Sequence, residues 1–269
     1  MQNPRTSDVT DRRTSPIVVG GCHRSGTSLL RRMLDAHSQI HCGPELTFFR
    51  DYFGDFRDDP LRHLRFTATA RDLVPEHEAL DVLGRSVVEL HERAARLVGK
   101  PRWADKSPDN VLYAEHWDRL LDGRVLFVHV VRDPLDTVAS MRGRFPLTLP
   151  SDIEGLCEHY RRYTLAGLSL ATAYPARSVR VAYEDLCRRP GETLGRLMTF
   201  LGEEFEPAQL EFNKQPHQTG LEDPNIAHTE SAHEDSIGRW REVFSDDEAA
   251  LVREQTRDLA SAIDPSEGS

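Results

Sequence analysis

The amino-acid sequence predicts an α/β fold, a three-layer sandwich in which helices cover both faces of a central parallel β-sheet. Short apolar, β-branched runs that suit buried strands alternate with segments whose apolar residues recur at helical spacing. No internal repeat or linker divides the chain, and 269 residues fit one large domain. We therefore predict a flexible polar lead over residues 1–15 and a single domain over residues 16–269.

The first elements form a strand–loop–helix unit. Ile17–Val19 is short, apolar and β-branched, and a glycine-rich turn follows over Gly20–Gly26. The apolar residues of Leu29–Leu34 then recur at helical spacing, which predicts a helix that runs to about His37. A second short strand is predicted at Gln39–Cys42.

The later elements continue the alternation. The clearest buried strand is Val125–Val131, because it is a long apolar run bounded by polar residues. Ser107-Pro108 and Asp133-Pro134 each place a capping side chain before a proline suited to the first helical position, so both predict helix starts. Further strands are predicted at Arg102–Asp105 and Ser178–Ala182, helices at Glu76–Val98, Asp152–Tyr174, Pro190–Leu201 and Asp246–Ile263, and a polar loop at Gln215–Asp235.

Composition excludes several classes of protein. The net charge of -10 argues against a general nucleic-acid binder, so any anion site must be local. No apolar run approaches the ~18 residues of a membrane span. The four cysteines lack CxxC spacing and are expected to be reduced thiols. Together with the polar N-terminus, they lead us to expect a cytoplasmic protein. No cluster has metal-ligand spacing, so no metal is expected.

The most informative segment is the loop Gly21–Ser28, between the first strand and its helix. Backbone N–H groups and the helix N-terminus at such a turn attract phosphate. The spacing copies G-x-x-x-x-G-K-[ST], but Thr27 stands at the lysine position. Because nucleotide hydrolases and most kinases place that lysine on the terminal phosphates, its absence argues against ATP or GTP. Arg24 supplies a cation from within the loop instead.

A second anion-binding pattern follows the clearest strand. Arg132 comes at its end, and Ser140 follows eight positions later. An alternative interpretation makes Asp133 a carboxylate that holds Mg²⁺. A cation between the apolar run and this aspartate suits a phosphate better than a metal, and Asp133 more simply caps the next helix.

Both patterns resemble the motifs of sulfotransferases that use PAPS (3'-phosphoadenosine 5'-phosphosulfate). His23–Leu30 resembles their 5'-phosphosulfate loop, and Arg132 with Ser140 resembles their 3'-phosphate motif. Weaker matches at Tyr183–Leu186 and Gly238–Trp240 extend the resemblance over roughly residues 16–245. It implies a P-loop-like fold, PAPS as donor, PAP as product, and metal-independent transfer to an alcohol or phenol, with fixed charges stabilising the transition state. The implied donor-binding residues are Arg24, Ser25, Gly26, Thr27, Ser28, Arg132, Ser140, Tyr183, Ser236 and Arg239.

The same resemblance suggests the catalytic residues. In the cytosolic branch a histidine base lies two positions after a lysine, but here Pro108 occupies that place after Lys106. Asp35–Glu45 instead resembles the tyrosylprotein sulfotransferases, in which a glutamate at the position of Glu45 is the base. Lys106 and Arg24 would then stabilise the transition state. That branch carries a disulfide near its site, and the cysteine it needs beside Lys106 is missing, which suggests a bacterial-type enzyme.

Two other functions stay open at this point: a phosphotransferase that uses Mg-ATP, and a nucleotide-binding module without catalysis. The expected partner is an acceptor with a hydroxyl group, either a small molecule or a peptide, and tyrosyl acceptors are included. Neither a nucleic acid nor a membrane is an expected partner. Its pocket is expected to be shaped by Leu46–Val74, Gly143–Asp152 and Gln215–Asp235.

Overall fold

Five parallel strands form one sheet in a computed structural model of the chain, whose described residues are 12–53, 70, 72–142, 149–217 and 231–263. The spatial order of the strands is β2-β3-β1-β4-β5. All four strand pairings are parallel, which confirms the predicted α/β fold. The strands are β1 (Ile17–Gly21), β2 (Ile40–Cys42), β3 (Arg102–Lys106), β4 (Leu126–Val131) and β5 (Ser178–Ala182).

Helices connect these strands, and in the described part of the chain none of them is long and apolar enough to cross a membrane. The α-helices are α1 (Thr27–Asp35), α2 (Phe48–Phe53), α3 (Glu76–Leu97), α4 (Ala114–Leu120), α5 (Pro134–Met141), α6 (Ile153–Ala173), α7 (Tyr183–Arg188), α8 (Pro190–Leu201), α9 (Asp246–Gln255) and α10 (Arg257–Ile263). Short 3-10 helices occur at Pro108–Leu112, Pro207–Gln209, Phe212–Lys214 and Arg239–Glu242.

Two predicted elements differ from the structure, and two short helices were not predicted. Ser107-Pro108 opens a 3-10 helix rather than an α-helix, and the Ser107 side chain makes no capping bond there. The predicted helix Asp246–Ile263 is divided, because Thr256 leaves helical geometry and its hydroxyl donates to Val252 O at 2.8 Å. Helices α2 and α7 were not predicted, since each has only six residues.

Apolar residues on the two faces of the sheet build two separate cores. In β1, Val18 faces one core while Ile17 and Val19 face the other, because successive strand side chains point to opposite faces. Apolar side chains of α1 and α8 cover one face, and those of α4 and α6 cover the other. The result is the three-layer arrangement predicted from the sequence.

The order of the strands creates a crevice at one edge of the sheet. From β1 the chain passes to β2 and β3 on one side, and then crosses to β4 and β5 on the other. The carboxyl ends of β1 and β4 therefore flank the point where the order reverses, which is where α/β proteins bind ligands. The loop after β1 and Arg132 after β4 both lie at this point.

The end of the predicted N-terminal lead is not free. Arg12 donates from Nη1 to Phe200 O at 3.2 Å, and Arg13 donates from Nε to Gly202 O at 2.9 Å. Ser15 is buried beside β1. Residues 12–15 therefore pack against the end of α8, while residues 1–11 lie outside the described part of the chain.

Candidate active site

The loop Gly21–Ser28 has the backbone geometry of an anion cradle. Arg24 and Gly26 have left-handed φ angles of 70° and 94°. Glycine is required at position 26, because a Cβ there would collide with the Tyr183 ring. Helix α1 begins at Thr27 without a side-chain cap and without an acidic residue in its first turn, so its positive end is open to an anion.

A buried hydroxyl in this loop points to the same use. Ser25 is 1% exposed, and its Oγ has no hydrogen-bond partner among the described residues. A buried polar group without a partner costs about 1–3 kcal/mol, so such groups are normally paired. A phosphate oxygen would supply the partner for Ser25.

Hydrogen bonds bring the two predicted motifs together. Arg24 Nε donates to Ser140 Oγ at 3.1 Å, and Arg132 Nη1 donates to Arg24 O at 3.0 Å. Arg132 Nη2 donates to Ser236 O at 2.5 Å, and its guanidinium lies 4.5 Å from the centre of the Tyr183 ring. Five of the residues implied for the donor site, distant in sequence, therefore meet at the carboxyl edge of β1, β4 and β5.

The backbone of Arg132 is fixed by a hydrogen bond from α6, and one N–H group of its side chain makes no hydrogen bond to a described residue. Its backbone carbonyl accepts a hydrogen bond from Tyr160 OH at 2.9 Å, which ties the end of β4 to α6. Arg132 is 6% exposed, and its Nε has no hydrogen-bond partner among the described residues. A buried cation with an unused N–H is suited to a phosphate.

Asp136 holds the segment around Gly238 in place, a role that the sequence did not predict. Its two carboxylate oxygens accept from Gly238 N at 2.6 Å and from Trp240 N at 3.0 Å. These bonds fasten the distant segment around Ser236 to the first turn of α5. The neighbouring Asp133 accepts from Asp136 N at 3.0 Å, as predicted for a helix cap. Burial raises the pKa of Asp133.

The remaining donor-site candidates differ in their surroundings. Thr27 is buried, and Ser28 Oγ lies 3.3 Å from Lys106 Nζ. The Arg239 side chain is 58% exposed, and its Nε lies 3.8 Å from Glu242 Oε2.

Lys106 and Glu45 form an ion pair at the mouth of the loop. Lys106 Nζ donates to Glu45 Oε2 at 2.5 Å, with side-chain exposures of 1% and 12%. Lys106 is the last residue of β3, and Glu45 follows the end of the neighbouring strand β2 by three residues. Burial raises the pKa of Glu45 more than the charge and hydrogen bond of Lys106 lower it. A carboxylate with a raised pKa is a stronger base than an exposed one.

The segments expected to shape the acceptor pocket are described only in part. Residues 54–69, 71, 143–148 and 218–230 lie outside the described residues. Among the described residues, no group of three or more His, Cys, Asp or Glu side chains could hold a metal ion.

Several known proteins resemble this chain in sequence. A putative protein-tyrosine sulfotransferase of Caenorhabditis briggsae is 25% identical over 241 residues, which cover 86% of this chain and 82% of the relative. The protein-tyrosine sulfotransferase of Drosophila melanogaster is 24% identical over 78% of this chain, but the match covers only 41% of that protein. Protein-tyrosine sulfotransferase 2 of Gallus gallus is 26% identical over 69% of this chain and 50% of its own length.

Solved structures share the fold at lower identity. The sulfotransferase domain from the Synechococcus PCC 7002 olefin synthase has a TM-score of 0.67 at 22% identity, and the match covers 92% of this chain and 93% of that domain. The mouse sulfotransferase SULT7A1, solved in complex with PAP, has a TM-score of 0.53 at 15% identity, with 97% and 92% covered.

These relatives correct the expected location. The expectation of a cytoplasmic protein is wrong, because the relatives are protein-tyrosine sulfotransferases, which are Golgi-type enzymes. The expectation rested on a polar N-terminus and on unpaired cysteines. The four cysteines are indeed free and buried, but a buried thiol is protected from oxidation wherever the protein resides, so it does not indicate a compartment.

The family itself is shown by a match over most of the chain. The sequence model of the sulfotransferase family covers residues 16–207, from the residue before β1 to the first residue of the 3-10 helix Pro207–Gln209. This range contains the loop, the Lys106–Glu45 pair and Arg132 with Ser140. The chain therefore belongs to the sulfotransferase family and is a sulfotransferase.

Proposed function

We propose that this enzyme transfers the sulfuryl group of PAPS to the hydroxyl of an acceptor and releases PAP. The observation that carries the proposal is the Lys106–Glu45 ion pair, which places a cation and a carboxylate side by side at the mouth of the phosphate loop. The complex of the mouse neighbour with PAP supports the choice of donor.

The donor would occupy the crevice between β1 and β4. The loop N–H groups and the open end of α1 suit the 5'-phosphosulfate. Arg132, with its unused Nε, and Ser140 suit the 3'-phosphate. A donor with a phosphate at each end needs two anion sites, and the unpartnered Ser25 Oγ and Arg132 Nε support one in the loop and one at the end of β4.

In the transfer, Glu45 accepts the proton of the acceptor hydroxyl while its oxygen attacks sulfur. The bond from sulfur to the acceptor oxygen forms as the bond to the bridging phosphate oxygen breaks. Lys106 and Arg24 stabilise the negative charge that builds up on the leaving phosphate. Lys106 already touches Ser28 of the loop, so it can exchange its contact with Glu45 for one with the donor.

We further propose that the acceptor is a phenol or alcohol, tyrosyl residues included. The names of the animal relatives support a tyrosyl acceptor. A panel of p-cresol, a tyrosine-containing peptide and an aliphatic alcohol, each assayed for PAP release from PAPS, would identify the class.

Calorimetry with PAP and with ADP tests the donor site directly. We expect PAP to bind in EDTA with unchanged affinity, and ADP to bind far more weakly because it lacks the 3'-phosphate. Tight binding of Mg-ATP together with no binding of PAP would instead support the phosphotransferase alternative.

A further inference from the structure

A histidine pair lies beside the proposed reaction centre. His23 belongs to the phosphate loop and His159 belongs to α6, and His23 Nδ1 lies 3.1 Å from His159 Nε2. The centres of the two rings are 5.1 Å apart. Tyr163, one turn further along α6, packs edge-on to His23 at 5.2 Å and stacks on His159 at 4.4 Å. Both histidines are therefore held in fixed orientations.

This pair is supported by buried polar groups. Tyr163 OH donates to Asp109 Oδ1, and Arg50 Nη1 lies 3.5 Å from Asp109 Oδ2. Asp109 is buried in the 3-10 helix that follows β3, three residues after Lys106. Side chains from the loop, α2, the 3-10 helix and α6 thus form one connected cluster near Lys106.

The surroundings keep both imidazoles uncharged. Burial and the positive charges of Arg50, Lys106 and Arg24 lower the pKa of His23 to about 3. Burial also lowers the pKa of His159 to about 3. At neutral pH each ring is therefore a hydrogen-bonding group and a poor proton acceptor. Glu45, whose pKa is raised, remains the better base.

Only one nitrogen of His23 is engaged within the described structure. Nδ1 faces His159, whereas Nε2 makes no hydrogen bond to any described residue. His23 is half-buried and directly precedes Arg24 in the loop. In a loop that would cradle the phosphosulfate, this leaves His23 Nε2 as a polar atom that a second reactant could contact.

We propose that His23 Nε2–H donates a hydrogen bond to the acceptor hydroxyl oxygen, and that His159 is a positioning residue whose Nε2–H fixes Nδ1 of His23. This inference rests on the proposed function and assigns an acceptor-contacting residue within the donor loop. The hydroxyl proton goes to Glu45, and one lone pair of the oxygen attacks sulfur. His23 binds the remaining lone pair and so aims the oxygen.

Two matched variants of His23 separate contact with the acceptor from a structural role. Glutamine places its amide where Nε2 lies, and asparagine places its amide where Nδ1 lies. With p-cresol as acceptor, His23→Asn should lower kcat/KM by about tenfold, as expected for one lost hydrogen bond, and His23→Gln should stay within about threefold of the wild type. PAP affinity, measured by calorimetry, should stay within about twofold in both. The reverse ranking, with the loss in His23→Gln, would overturn the proposal.

A matched pair of variants also tests the positioning role of His159. His159→Gln retains a donor at the position of Nε2 and should keep most of the activity, whereas His159→Asn should raise KM for p-cresol with little change in melting temperature. If both variants lost activity to the same extent, and both also lowered the melting temperature to the same extent, His159 would be only structural.

Nitrogen-15 NMR of the imidazoles tests the pair whether or not PAPS proves to be the donor. We expect His23 to carry its proton on Nε2, to show no titration between about pH 5 and 8 given its low pKa, and to shift at Nε2 when p-cresol is added to the PAP complex. A proton on Nδ1, or titration near pH 6.5, would contradict the proposal. If PAP fails to bind while His23 shows the expected tautomer, the proposed donor is wrong and the orientation of the pair stands.

Discussion

Glu45 and Lys106 form a largely buried ion pair. The lysine is fully buried, and its charge would be costly there without the carboxylate. Burial raises the pKa of the Glu45 carboxyl group, while the charge and hydrogen bond of the lysine lower it. The roles proposed for the two residues in the transfer can be separated by mutation.

Glu45→Gln should separate proton transfer from binding. The amide keeps the size and a hydrogen bond to Lys106 but cannot accept the acceptor proton. Turnover should fall by ~10²–10⁴ while PAP affinity stays within about twofold. Steady-state kinetics and calorimetry measure the two effects.

A nitrophenol acceptor supplies the control, because its low pKa reduces the need for a base. It should partly rescue Glu45→Gln and should rescue Lys106→Ala less, since the lysine acts on the leaving group. Near-native turnover of Glu45→Gln on an aliphatic alcohol would show that Glu45 is not the base.

Arg132→Ala should affect the 3'-phosphate selectively. Loss of a charge-assisted hydrogen bond costs ~1.5–3 kcal/mol, which is roughly a tenfold to hundredfold loss of affinity for PAP. Adenosine 5'-phosphosulfate lacks that phosphate and should bind with little change. Competition binding compares the two ligands, and Ser140→Ala should show a milder form of the same selectivity. Equal losses for both ligands would mean that Arg132 only ties the loop to Ser236.

At the scale of elements, the sequence predicts the strands and the loop well because their signals are local. Ile17–Val19 and Val125–Val131 are apolar runs, and the loop glycines mark a turn whatever the rest of the chain does. The short helix α2 has no such signal. The place of Ser236 depends on a carboxylate in α5, about a hundred residues earlier, so spacing alone could not predict it. The donor-site roles of these residues stay predictions.

Asp136→Ala tests how α5 positions the Gly238–Trp240 segment. The change removes two acceptors and leaves two backbone N–H groups without them. Unfolding free energy should fall by about 1–3 kcal/mol, and PAP should bind more weakly because Ser236 loses its support. Glu242→Ala, an exposed change in the same segment, is the matched control and should do neither. Unchanged PAP binding in Asp136→Ala would show that this segment does not contribute to the donor site.

At the scale of the whole molecule, Asp35 connects the end of α1 to β2 and to the chain after α8. It lies 3.1 Å from His41 Nδ1, 3.0 Å from His217 Nδ1 and 3.7 Å from Lys100 Nζ. Burial alone would raise the pKa of Asp35, but the hydrogen bonds from the two histidines and the charge of Lys100 lower it well below its usual range.

This lowered pKa predicts how stability depends on pH. Because the folded pKa lies below the unfolded value of ~3.9, the ionised carboxylate contributes its full stability above about pH 5 and loses it as pH falls toward the folded pKa. Urea unfolding of the wild type and of Asp35→Asn should therefore differ most at neutral pH and converge as pH falls from about 5 to 3. A difference that stays constant or grows on acidification would contradict this role.

Sulfuryl transfer from PAPS is the reaction that we propose for the phosphate loop, Arg132 and the Lys106–Glu45 pair. It can be measured directly as the rate at which the purified enzyme transfers labelled sulfate from PAPS to p-cresol and the tyrosyl peptide in the presence of EDTA, beside a parallel assay with Mg-ATP labelled at the γ-phosphate. We predict sulfated product and PAP in equal amounts, at a rate unaffected by EDTA, and no labelled phosphate on the acceptor. Transfer from Mg-ATP, with none from PAPS, would contradict the account.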